Sequence, residues 1–191
     1  RQNFERPQRM KTLALFFIDS IRSYRGDDET NGWLAEKFES LLIERVKFEL
    51  SKPCSDEYRA YLEATLKDPH ACHGGYFAED NQNSDEEIAQ QVKEITHDKK
   101  LLLSFKNEDG SCNVRRFIFS KWTLKEGWDN PNVFTICKLR SSGSEISKLQ
   151  EVGRGLRLPV DEYGNRSSEE FLNYPARYAG IEDWKSGSAG M

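Results

Sequence analysis

The stretch KTLALFFIDS, residues 11–20, decides the fold. Its apolar run is nearly continuous up to Ile18, with no polar position alternating through it. A strand of that kind is covered on both faces, as in a parallel sheet with helices above and below. The polar pair Asp19 and Ser20 then emerges at its C-terminal end, the edge at which loops of such sheets hold ligands. Two later runs, Val114–Phe119 (VRRFIF) and Val133–Leu139 (VFTICKL), read as further strands of the buried parallel type.

Between these runs the spacing turns helical. Gly26–Gly32 is turn-rich and acidic, and Trp33–Leu50 then places Leu34, Phe38, Leu41, Leu42, Arg45 and Phe48 near helical period until Pro53 stops it. Ser55–Lys67 predicts a second helix, with Ser55 as N-cap and acids in its first turn, ended by Asp68-Pro69. His73–Phe77 reads as a short strand or loop, and Asn81–Asp85 as a polar linker. Ser84 or Asp85 caps a third helix over Glu86–Thr96. Ser144 caps another, in which Ile146, Leu149, Val152, Gly153 and Leu156 share one face. Gln150, Arg154 and Arg157 form the neighbouring stripe of that helix. No internal repeat is present, and strands alternating with helices imply an α/β fold.

A chain of 191 residues suits one domain with an insertion and buries a real core. Charged residues make up 31% and hydrophobic ones 37%, the balance of a globular protein with a solvated surface. Leu13–Ile18 and Leu101–Leu103 are far too short to cross a bilayer, so no membrane is expected and the setting reads as cytoplasmic. The chain opens at Arg1 without a signal-peptide pattern, which predicts a piece of a longer protein. A net charge of -4 excludes a general basic polyelectrolyte binder. The charge is uneven, however: residues 78–98 carry seven acids against Lys93 alone, whereas residues 138–166 carry six cations against four acids. Any nucleic-acid contact is therefore expected to be local, on the side of the second segment.

Four cysteines (Cys54, Cys72, Cys112 and Cys137) show no CxxC spacing and read as free thiols in a reducing compartment. His70-Ala-Cys72-His73 has ligand types for zinc, but no second ligand pair follows it, and no metal site is expected.

The chemistry concentrates in residues 120–160. Gln150-Glu-Val-Gly153-Arg154-Gly-Leu-Arg157 puts two arginines three residues apart. Arginine supplies planar, permanently charged donors that match phosphoryl oxygens and the charge that develops on them during transfer. The plain alternative is a pair of surface cations favoured by the dipole at a helix C-terminus. Upstream, Gly127-Trp-Asp129-Asn-Pro131-Asn-Val133 offers a glycine for close ligand approach and a carboxylate for a ribose hydroxyl or a neighbouring arginine. The proline stiffens the entry to the next strand. Here the alternative is an ordinary connection between strands.

Taken together, FFID, HGGYFAED and FIFSKWTLKEGWDNPNVFTICKLRSSGSEISKLQEVGRGLRLPVDEYGNR resemble the second RecA-like motor lobe of the restriction (Res) subunit of type III restriction endonucleases, which are superfamily 2 helicase-type translocases. The resemblance runs from about Lys11 to Arg166 and is densest over Phe117–Gly164. Residues 15–20 correspond to helicase motif IV, Ser120–Val133 to motif V and Gln150–Arg157 to motif VI. The resemblance implies a RecA-like three-layer sandwich with a mainly parallel sheet flanked by helices. It also implies an ATP-fuelled motor on double-stranded DNA, working with a modification methyltransferase subunit. By the family's pattern Gln150, Arg154 and Arg157 face ATP, with Arg157 as the arginine finger and Arg154 as its phosphate-binding companion. Gly127 and Asp129 would couple nucleotide to DNA, and Ser120 and Lys121 would touch the DNA backbone. His73 and Gly74 would line the DNA path, unless they form only a local turn. Trp122 and Trp128 would stack on bases or fill the core.

The chain departs from the family in having no GxxxxGK[ST] loop and no DExH-type magnesium site. Both belong to the first RecA-like lobe, which would hold ATP and Mg2+ for the most part. The nuclease domain is also missing. The expected organisation is a C-terminal helicase lobe over residues 1–166, with an inserted acidic helical segment at about 78–98, and a tail over residues 167–191. Such a piece would complete an ATP site yet neither cut nor translocate DNA alone. Two alternatives stay open: the same lobe from a helicase or translocase without a nuclease, and a non-catalytic nucleic-acid-binding module of the same fold. A neighbouring adenine methyltransferase gene would favour restriction.

Overall fold

The computed structural model describes residues 1, 3–5, 9–27, 31–77, 86, 93, 95, 99–121, 130–139, 159–161 and 163–166, together with the backbone of 177–180. Strand β1 (Leu13–Phe17) leads through helices α1 (Ile21–Arg25), α2 (Trp33–Leu50) and α3 (Asp56–Lys67) and a 3-10 turn (His70–Cys72) to β2 (His73–Gly75). Helix α4 (Lys99–Leu103), β3 (Phe117–Ser120), β4 (Val133–Lys138) and β5 (Arg177–Gly180) follow. The five strands form one sheet in the order β2-β3-β1-β4-β5, every pairing parallel. The fold is α/β, with helices on both faces of the sheet, as in RecA-like domains.

The alternation of side chains along β1 explains the three layers. Leu13, Leu15 and Phe17 point to one face, where they join Ile118 and Ile136 of the sheet and Ile95, Leu102 and Leu103 from the helical side. Phe16 points to the other face and meets Phe119 and Phe117 beneath α1 and α2. A third cluster seats Leu42 and Val46 of α2 on Tyr58, Tyr61 and Leu62 of α3 and on Phe105.

Helix α3 begins as the sequence requires: the Ser55 hydroxyl accepts from the Tyr58 N–H at 3.3 Å, and Asp56 and Glu57 fill the first turn. Helix α2 keeps its expected bounds, but its buried stripe runs through Leu34, Phe38, Leu42 and Val46 rather than through Leu41 and Phe48, which are exposed. Phe48 is instead covered by the cations of Arg45 and Lys52. Gly32 caps α2 because a Cβ there would fall 1.8 Å from the Tyr24 carbonyl oxygen, so only glycine lets α1 and α2 come together.

Other expectations shift. The strand predicted at Val114–Phe119 starts only at Phe117. Upstream of it the Arg115 guanidinium donates to the His73 carbonyl, and Arg116 lies against the rings of Tyr61 and Phe117. The sheet does not stop at Arg166. Arg177–Gly180, within the stretch expected to be tail, pairs with β4 in the register Thr135↔Arg177. An unpaired β4 edge would leave a row of backbone donors and acceptors unmet, and β5 satisfies them. The third helix is described only at Glu86, Lys93 and Ile95, all helical; most of the acidic insert and the helix after Ser144 lie outside the described residues. All four cysteines are free thiols. Among the described residues no helix is long and apolar enough to cross a membrane.

Candidate functional site

Because every strand runs the same way, the C-terminal strand ends share one rim. β1 delivers Asp19 and Ser20, β2 delivers Tyr76, β3 ends in Ser120 followed by Lys121, and β4 ends in Lys138 followed by Leu139. The rim is stitched across the strands: Ile18 N–H donates to the Ser120 carbonyl at 2.8 Å, Leu139 N–H to the Phe17 carbonyl at 2.8 Å, and Tyr76 N–H to the Phe119 carbonyl at 2.8 Å. The connection from β1 leaves toward β2 at one edge, and that from β4 leaves toward β5 at the other. The β1–β4 boundary is therefore the switch point at which open parallel sheets bind ligands.

Ser120 and Lys121 stand on this rim as expected. Ser120 is only 2% exposed, whereas Lys121 is half-buried and reaches the surface. Lys138, a buried cation at the same rim, was passed over in the sequence because it closes an apolar run. The Ser20 hydroxyl is committed to capping α1 through the Ser23 N–H at 3.4 Å. Gly127, Asp129, Gln150, Arg154, Arg157, Trp122 and Trp128 all lie outside the described residues. At the described rim Lys121 is half-buried and Lys138 is buried. The described glycines of positive φ (Gly26, Gly110 and Gly164) lie off the strand ends, so the described rim forms no phosphate cradle.

The bases of the two motif segments are tied together. Asn132, completely buried just before β4, donates from Nδ2 to the Val160 carbonyl at 2.8 Å, and its Oδ1 accepts from the Val160 N–H at 2.8 Å. Residue 160 comes shortly after Arg157, and Asn132 shortly after Asp129. One amide side chain therefore ties Val160 to the residue that enters β4. Downstream, Asp161 accepts from the N–H groups of Tyr163 and Asn165 at 2.9 and 2.8 Å and holds the next turn. Burial works to raise the Asp161 carboxyl, but these bonds, with that from the Asn165 side chain, hold it below its ordinary value.

His73 and Gly74 are placed differently from expectation. The His73 side chain is wholly buried, edge-on to Phe38 and Tyr24, with Nδ1 2.6 Å from the Tyr24 hydroxyl and Nε2 2.9 Å from Glu39 Oε1. Gly74 is buried in β2, and a Cβ there would lie 2.7 Å from the Arg115 guanidinium. Neither presents a surface to nucleic acid, so the expected direct contact is corrected to a role in packing α2 on β2. Burial lowers the His73 pKa, against the opposing effect of Glu39. Burial also works to raise the Glu39 carboxyl, and the bonds from His73 and His70 outweigh it and hold it low. No local sequence signal links Glu39 to this pair, which lies 31 and 34 residues downstream.

The topology defines the class: a parallel α/β domain of RecA-like type. No protein-family model matches the chain. The chain is 55% identical over 175 residues to the EcoPI Res subunit, a type III restriction-modification enzyme subunit of Escherichia phage P1, which covers 91% of this chain and 17% of that protein. It is 54% identical over 175 residues to the EcoP15I Res subunit of Escherichia coli, with the same 91% and 17% coverage. It is 52% identical over 179 residues to the StyLTI Res subunit of Salmonella typhimurium, covering 88% of this chain and 18% of the relative. The chain thus spans 17–18% of the length of the curated relatives it matches.

Proposed function

We propose that this chain is the second motor lobe of a type III restriction enzyme's Res subunit, completing an ATP site and gripping double-stranded DNA during ATP-driven movement before cleavage. The observation that carries this reading is the identity of 52–55% to three Res subunits over about nine-tenths of the chain. The parallel sheet, with Lys121 at its C-terminal rim, supports it. In this reading Gln150, Arg154 and Arg157 address the terminal phosphate of ATP. Gly127 and Asp129 relay nucleotide state to the DNA side, and Lys121 meets the DNA backbone, with the buried Ser120 before it holding the end of β3. ATP supplies the phosphoryl group whose transfer drives the motor, and Mg2+ accompanies it on the first lobe of the same polypeptide. The modification methyltransferase subunit supplies site recognition.

The backbone contact is testable at Lys121, whose side chain reaches the surface without being part of the core. In the full-length protein, Lys121→Ala weakens DNA binding about equally on all sequences and lowers the slope of log affinity against log salt by about 1. Fluorescence anisotropy across a salt series reads both quantities. An unchanged slope would remove Lys121 from the DNA path.

A further inference from the structure

Outside the rim, one cluster combines metal-ligand chemistry with convergent geometry. His70 opens the 3-10 turn and His73 follows it as the first residue of β2, and their rings meet edge-on with centroids 4.9 Å apart. They meet Glu39 from α2: His70 Nδ1 lies 3.1 Å and His73 Nε2 2.9 Å from the same carboxylate oxygen. One ligand atom from each of the three residues lies within 4.8 Å of the others. Cys72, which the sequence pattern groups with the histidines, turns away, its thiol directed at the Asp68 carbonyl at 3.8 Å.

We propose that Glu39, His70 and His73 form a binding site for a divalent transition metal, with zinc the best fit. Two imidazole nitrogens and a carboxylate oxygen make a zinc donor set with one position left for water, whereas magnesium prefers oxygen alone. The outer contact is in place as well. The Tyr24 hydroxyl at His73 Nδ1 accepts the ring's N–H, which leaves Nε2 bare for a cation. Without a metal, the same hydroxyl donates to Nδ1 and the Nε2 proton goes to Glu39, so the tyrosine serves both states. His70 is 60% exposed and opens the path by which an ion enters, while His73 is fully buried and fixes the inner ligand. A bound ion would pin α2 to the start of β2, the sheet's edge strand. The cluster lies on the α1–α2 face, so this role is structural and separate from the motor chemistry.

The test uses the full-length protein stripped with EDTA and titrated with Zn2+ against a chromophoric chelator, alongside His70→Ala and Glu39→Gln. Wild type is expected to hold one more equivalent of Zn2+ than either variant. Loaded with Co2+, it should show visible d–d absorption that His70→Ala lacks. Tyr24→Phe should keep the equivalent but bind it about tenfold or more weakly. Circular dichroism of His70→Ala, a surface change, separates loss of metal from loss of fold, and Glu39→Gln repeats the comparison independently. Equal zinc content and affinity in wild type and both variants would overturn the proposal and leave the three residues as a hydrogen-bonded trio only.

Discussion

Arg157→Ala in the full-length protein is expected to lower the rate of ATP turnover about a thousandfold or more, the range of a lost arginine finger. A thousandfold corresponds to about 4 kcal/mol of transition-state stabilisation. The size follows from the chemistry. Charge that spreads over the phosphoryl oxygens is met by planar, permanently ionised donors, which an alanine methyl group does not replace. The loss should fall on kcat and on kcat/KM alike, because the contact strengthens only as the transition state forms. Arg157→Lys should recover little, since a point-charged ammonium does not reproduce the two-pronged guanidinium. Steady-state kinetics with saturating DNA measure all of this. Turnover within a few-fold of wild type in Arg157→Ala would remove the residue from the nucleotide site.

The second large effect is structural and lies at Asn132. Alanine there strands both the carbonyl and the N–H of Val160 in the interior, where Asn132 now pairs them at 2.8 Å each. An unsatisfied buried polar group costs about 1–3 kcal/mol, so Asn132→Ala should lower the unfolding free energy by about 2–5 kcal/mol. Urea denaturation followed by circular dichroism gives the number. Asn165→Ala is the natural comparison, because Asn165 is exposed and its side chain bonds only to Asp161. It should cost about 1 kcal/mol or less. If the two substitutions cost the same, Asn132 does not tie the segments.

The parts of the fold that were legible in the sequence share a physical cause. β1 and β4 combine buried with half-buried positions, covered to different degrees on the two faces, and so appear as largely apolar runs, and α3 announces itself through Ser55 and its acidic first turn. The misreadings come from partners far along the chain. Arg115 and Arg116 sit in a strand-like hexapeptide, but their side chains answer to His73 and Tyr61, so the strand begins late. β5 has too few apolar residues to signal a strand and exists because β4 offers an edge to pair with. In α2 the helical spacing included Leu34, Phe38 and Leu42, which pack, together with Leu41 and Phe48, which are exposed, while the packed stripe steps by four from Leu34 to Val46.

The site divides in the same way. The parallel pattern placed Ser120 and Lys121 at a strand exit, where β3 ends, whereas Gly127, Asp129, Gln150, Arg154 and Arg157 lie outside the described residues. The burial of His73 was hidden because Tyr24 and Glu39, which enclose it, are separated from it by 49 and 34 residues. The link between this histidine pair and Glu39 was hidden for a related reason: a second ligand pair was sought downstream, and Glu39 lies upstream on another helix.

The central claim is that Arg154 and Arg157 complete an ATP site held mainly by another part of the same polypeptide. Its most direct test is an electron cryomicroscopy map of the full-length protein bound to DNA, Mg2+ and an ATP transition-state analogue. The account predicts both guanidinium groups within hydrogen-bonding distance of the analogue's terminal phosphoryl group, across a cleft from the loop that holds its other phosphates. A map in which that group is surrounded entirely by residues from elsewhere, with Arg154 and Arg157 directed away from it, would contradict the account.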